Sequence, residues 1–98
     1  MAMKIAFTKN NGDMTVSVAG RLDTVTAPEL EKLLSENYGG ATALTFNCAE
    51  LEYISSAGLR ILLTAHKRMK GKMKLTNVCD LVKEVLEMTG FADLWVIE

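Results

Sequence analysis

Two stretches decide the fold: Ala43-Leu44-Thr45-Phe46-Asn47-Cys48, and, five residues later, Ile54-Ser55-Ser56-Ala57-Gly58-Leu59-Arg60. The first is apolar and rich in β-formers, as a central strand requires. The second opens a helix whose apolar positions are Leu59, Ile61, Leu62, Leu63, Ala65 and Met69 and which stops near Gly71. Between them Leu51 and Tyr53 lie in what reads as a short loop. A strand followed by a helix of this length is half of a βαβ unit, so neighbouring segments should continue the alternation.

Upstream they do. Lys4 to Thr8 is short and β-compatible, Asn10-Asn11-Gly12-Asp13 is a turn signal, and Met14 to Ala19 alternates with period two. These read as a hairpin that Gly20 interrupts. Thr26-Ala27-Pro28-Glu29 starts a helix with Thr26 as N-cap; Leu30, Leu33 and Leu34 face inward and Tyr38-Gly39-Gly40 ends it. Downstream, Met73 to Val78 reads as a strand. Asp80 to Thr89 reads as a helix with Leu81, Val82, Val85, Leu86 and Met88 on its apolar side, stopped by Gly90. Leu94 to Ile97 reads as a last strand, with Trp95 covering the sheet edge or the base of the third helix. The expected order is β-β-α-β-α-β-α-β: an α/β domain with a mostly parallel sheet, an antiparallel hairpin at one edge, and helices flanking it.

Composition narrows the function classes. Ninety-eight residues, 49% of them apolar, hold one domain with a core of its own, spanning residues 1–98. Eleven basic against twelve acidic residues leave a net charge of −1, which argues against general nucleic-acid binding. No apolar run reaches the roughly 20 residues of a membrane span, and Met1 to Phe7 lacks the apolar core of a signal peptide, so a cytoplasmic protein is expected. One disulfide between Cys48 and Cys79 is arithmetically possible, but two buried free thiols are expected. With a single histidine, His66, beside Lys67 and Arg68, and no Cys-x-x-Cys, neither a metal centre nor a catalytic triad is expected, and no cofactor. The basic run Lys67, Arg68, Lys70, Lys72, Lys74 reads as a solvated helix end, and the six methionines as core fillers.

Chemistry concentrates at Ser55-Ser56. Two hydroxyls stand where a helix begins, and the leading N–H groups of a helix carry partial positive charge and have no internal partner. One reading is an N-cap; the other is a phospho-acceptor whose added charge those groups stabilise. Gly20-Arg21-Leu22-Asp23 should open at the same end of the sheet. Asp23 is either a turn or helix-entry residue or a carboxylate held near the serine hydroxyl.

Together Gly20-Arg21-Leu22-Asp23, Phe46 to Ile54 and Ser55-Ser56-Ala57-Gly58-Leu59-Arg60, with Gly90-Phe91 closing the third helix, resemble the STAS domain. The likeness covers essentially the whole chain and is greatest to the stand-alone bacterial anti-sigma factor antagonists. It implies a non-enzymatic protein that binds an anti-sigma factor serine kinase when unphosphorylated, so releasing a sigma factor. Phosphorylation by that kinase weakens binding, and a PP2C-type phosphatase resets the protein. The resemblance puts the acceptor on Ser56, with Ser55 as the alternative, and the partner surface on Arg21, Asp23, Ser55, Ser56, Ala57, Gly58 and Arg60. Ser55 stands where the family has an acidic residue. That departure keeps a second function open: a STAS module of another signalling or transport assembly that is never phosphorylated. Some members carry a further helix after the last strand; a chain ending at Glu98 is expected to lack it. The sequence carries no signal for oligomeric state.

Overall fold

The computed structural model describes residues 3–98; Met1 and Ala2, the start of the segment read for a signal peptide, lie outside it. The hairpin forms as expected. Strand β1 (Lys4–Asn10) pairs antiparallel with β2 (Asp13–Leu22). Asn11 and Gly12, both with positive φ, make the two-residue turn whose twist suits a hairpin. The alternation in β2 has its predicted consequence: Met14, Val16 and Val18 are buried, while Thr15, Ser17 and Ala19 between them are half-buried.

Helix α1 (Ala27–Asn37) follows, then β3 (Ala43–Asn47), β4 (Leu51–Ile54), α2 (Ser56–Arg68), β5 (Met73–Thr76), α3 (Asp80–Met88), a 3-10 turn at Phe91–Asp93 and β6 (Val96–Ile97). The main sheet runs β1-β2-β3-β5-β6, parallel beyond the hairpin. One cluster joins the inward residues of the strands, among them Val16, Phe46 and Leu75, to Leu30 and Leu34 of α1, Leu59 and Leu62 of α2, and Val82 and Leu86 of α3.

Four expectations need correction. Leu51–Ile54 is a strand, not a loop. A turn at Cys48–Leu51, closed by Leu51 N–H to Cys48 C=O (3.1 Å), carries the chain past the first half of β2, and β4 pairs parallel with the second half, Gly20 to Leu22. The register shifts between Gly20 and Arg21, so Arg21 stands opposite Tyr53 and Leu22 opposite Ile54. A four-residue strand whose paired residues lie 31 to 32 positions away leaves no local periodicity to read. Second, α3 buries a narrow stripe, Val82 and Leu86; Leu81 and Met88 are exposed, so Met88 fills no core. Third, β5 ends at Thr76, because Asn77 takes a positive φ. Fourth, only Val96–Ile97 of the last segment is strand. Trp95 instead turns inward and stacks on Phe91 (centroids 5.3 Å apart), with the His66 ring edge-on to it at 6.2 Å.

Candidate functional site

The chain reaches the C-terminal end of the parallel strands twice near the same point. β2 ends at Leu22, and the Leu22 C=O accepts the Ser55 N–H at 2.9 Å, which ties the Gly20–Asp23 loop to the start of α2. The two loops therefore open together, as expected.

Asp23 is a staple of its own loop. Its Oδ1 accepts the N–H groups of Val25 (3.0 Å) and Thr26 (3.1 Å) and lies 3.2 Å from the Thr26 hydroxyl. That hydroxyl donates to Arg21 C=O (2.7 Å) and accepts the Asp23 N–H (2.9 Å). Thr26 is thus the helix-entry residue the sequence suggested, but it bonds backward into the loop and makes no cap bond to α1. Replacing it with valine leaves Arg21 C=O and Asp23 N–H without partners in a part-buried site. Thr26→Val is expected to lose about 1–2 kcal/mol of unfolding free energy, read by chemical denaturation.

The Thr26 N–H, followed by the Val25 N–H, the Thr26 hydroxyl and the Arg21 guanidinium, outweighs desolvation and holds the Asp23 carboxyl below its ordinary value of 3.8. A depressed folded-state value means the ionised group stabilises the fold above its unfolded pKa, and that contribution fades as pH falls through the lowered value. The gap in melting temperature between the wild type and Asp23→Asn should therefore be widest at neutral pH and should shrink on acidification below about pH 4. A gap that widens in acid would contradict this.

Arg21 points away from the core. Its Nε lies 3.9 Å from Asp23 Oδ2, and its guanidinium rests 4.4 Å over the Tyr53 ring. Tyr53 was missed in the sequence because nothing local marks its register opposite Arg21. Val25, 85% exposed at the tip of the same loop, was also missed.

The two serines are unlike. Ser55 is the N-cap residue of α2, in extended backbone, yet its side chain makes no cap bond, and its Oγ is buried without a partner. Ser56 is the first helical residue and is exposed. No acidic residue stands in the first turn of α2, and the open N–H groups of the helix face that position. Ala57 is half-buried, Gly58 is buried against β2 and β4, and Arg60 is exposed one turn along.

His66 lies ten residues beyond Ser56, about 15 Å along the helix axis, against Trp95. Among the described residues no group of three or more His, Cys, Asp or Glu side chains is placed to hold a metal ion, and no helix is long and apolar enough to cross a membrane. The basic run ends α2 at the opposite end of the helix from the serines; Lys67, Lys70 and Lys72 are exposed, Arg68 stacks over Tyr38 (4.9 Å), and Lys74 meets Glu98 (3.5 Å).

Comparison with known proteins agrees with this architecture. The anti-sigma-B factor antagonist of Bacillus subtilis is 30% identical over 98 residues, covering 96% of this chain and 89% of that protein. An anti-sigma factor antagonist from Mycobacterium paratuberculosis superposes with a TM-score of 0.87 at 22% identity, over 98% of this chain and 85% of the other. The anti-sigma factor antagonist SpoIIAA in its unphosphorylated form gives 0.84 at 16% identity, over 97% and 88%. In its phosphorylated form it gives 0.75 at 16%, over 97% and 91%. The STAS domain model matches residues 4–98, and the chain belongs to the STAS domain family.

Proposed function

We propose that this chain is a phosphorylation-switched anti-sigma factor antagonist. Unphosphorylated, it binds an anti-sigma factor serine kinase through the surface formed by Arg21, Asp23, Ser55, Ser56, Ala57, Gly58 and Arg60, and so frees a sigma factor. Phosphorylated on Ser56, it releases the kinase, and a PP2C-type phosphatase returns it to the binding form. The exchange takes place in the cytoplasm and asks no catalysis of the antagonist itself.

The observation that carries this reading is the contrast between the serines. Ser56 presents its hydroxyl to solvent at the first position of a thirteen-residue helix, whereas the Ser55 Oγ is buried. A kinase reaches one and not the other. The helix N-terminus then stabilises an added charge of about −1.5 to −2 without refolding. Names and likenesses of the relatives support the same reading, including a relative of this fold solved with and without phosphate.

Incubation with ATP and a candidate ATPase-type serine kinase from the same organism, followed by intact mass and peptide mapping, tests the proposal. One phosphate on the peptide carrying Ser56, absent from Ser56→Ala, is the expected result. Phosphate on Ser55 moves the acceptor. No phosphate at all assigns the chain to the unphosphorylated STAS modules, for which Ser55 in the family's acidic position is the relevant departure.

A further inference from the structure

The chain has two cysteines, thirty-one positions apart, and the fold makes them neighbours. Cys48 follows β3, and its N–H donates to Thr76 C=O (2.8 Å), extending the β3–β5 pairing by one residue. Paired strands lie about 4.8 Å apart, so Cys48 sits beside the end of β5, from which three residues lead to Cys79. Cys79 is the N-cap residue of α3, and its Sγ donates to Leu51 C=O (3.5 Å), while Leu51 N–H donates to Cys48 C=O (3.1 Å). A single turn thus touches both, and both side chains belong to one apolar cluster.

Their surroundings differ in a useful way. Cys48 is 2% exposed, and burial, reinforced by the charge a Cys79 thiolate would carry, pushes its thiol up to about 12. Cys79 is half-buried and lines a solvent-open concavity of about 650 Å³ with Ala49, Glu50, Leu51 and Glu52. One thiol can be reached from solvent, and the other waits protected behind it. Peroxide therefore meets Cys79 first, and the small thiolate fraction of Cys48 makes its attack on the oxidised Cys79 the slow step.

We propose that Cys48 and Cys79, free thiols in this structure, form a reversible dithiol–disulfide pair oxidised by hydrogen peroxide. The Cys79 sulfur attacks one peroxide oxygen; the O–O bond breaks, and the departing hydroxide takes the Cys79 proton as water. The resulting sulfenic acid is attacked by the Cys48 sulfur, the S–O bond breaks as the S–S bond forms, and the second hydroxide leaves with the Cys48 proton as water. Two thiols and one peroxide give one disulfide and two waters. Hydrogen peroxide is small and uncharged, so the mixed lining of Lys4, Glu50 and Glu52 does not repel it. The bond would pin the turn that feeds β4 to the first turn of α3, one strand from Ser56.

The test uses the whole chain, reduced, freed of reductant, treated with hydrogen peroxide and alkylated under denaturing conditions. Expected are the loss of two hydrogens in the intact mass, no alkylation at either cysteine, one linked pair of peptides containing Cys48 and Cys79, and full reversal by dithiothreitol. In Cys79→Ser, protection of Cys48 from alkylation should slow at least tenfold. The proposal fails if Cys79 is over-oxidised or forms disulfide-linked dimers while Cys48 still alkylates. It also fails if both thiols stay free at a hundredfold excess of peroxide, or if Cys48 is oxidised as fast without Cys79.

Discussion

Ser56→Asp is expected to weaken binding to the anti-sigma kinase by about 30- to 1000-fold, or 2–4 kcal/mol, while the domain becomes slightly more stable. The two effects have opposite signs for a physical reason. In the free protein a carboxylate at the first position of α2 meets open N–H groups and no acidic neighbour in that turn, which is worth about 0.3–1 kcal/mol. At an interface formed around a neutral hydroxyl, the same charge loses water and finds no complementary group. Phosphoserine, with nearly twice the charge, should weaken binding further. Ser56→Ala should bind within a few-fold of the wild type, because the exposed hydroxyl has no hydrogen-bond partner among the described residues to lose. Isothermal titration calorimetry with the kinase, beside thermal melts of the free variants, reads both effects. Equal affinities for the wild type and Ser56→Asp would sink the switch; a collapse in melting temperature would mean that Ser56 is structural instead.

The second large effect is expected two residues further on. A Cβ on Gly58 would lie 2.7 Å from Leu22 Cγ, 2.8 Å from Ile54 Cγ1 and 3.0 Å from Leu22 C=O. Both side chains are 1% exposed, and the carbonyl is backbone already bonded to Ser55 N–H, so none of the three can step aside cheaply. Alanine normally improves a helix over glycine by up to about 1 kcal/mol. Here overpacking reverses the sign, and Gly58→Ala should lose about 1–3 kcal/mol, a fall of roughly 5–20 °C in melting temperature. Gly39→Ala, where nothing lies within 4 Å of the added carbon, is the control and should change little. Because the first turn of α2 must lift away from β2 and β4 to admit the methyl, Gly58→Ala should also reduce kinase affinity even where the protein remains folded. A stabilised Gly58→Ala would show that α2 does not sit as closely on β2 as described.

These two residues also show where sequence reading succeeds. Gly58 and the paired serines were visible as a helix start because capping, dipole and small-residue requirements act within a few residues. The hairpin was visible because Asn11-Gly12 and the period-two run Met14 to Ala19 are local signals. The apolar stripe of α2 and the alternation of strands with helices sufficed for an α/β domain with parallel strands. The family motifs added the expected place of a partner surface only as a pattern, with no contacts.

Tyr53 and Asp23 mark the other side. Local pattern left Leu51–Ile54 in a loop, since a short strand owes its existence to a partner edge, here the last residues of β2 made available by a register shift at Gly20. Only that pairing brings Tyr53 under Arg21. The choice for Asp23 between a turn carboxylate and one beside the serines was likewise a matter of direction in space, and the Val25, Thr26 and Arg21 contacts turn it into its own loop. The difference between Ser55 and Ser56, adjacent and chemically identical, is one of burial. So is the meeting of Cys48 with Cys79. Periodicity and capping are short-range and can be read along the chain. Which side chains face one another, and which hydroxyl meets water, follow from long-range pairing and packing that no window of sequence contains.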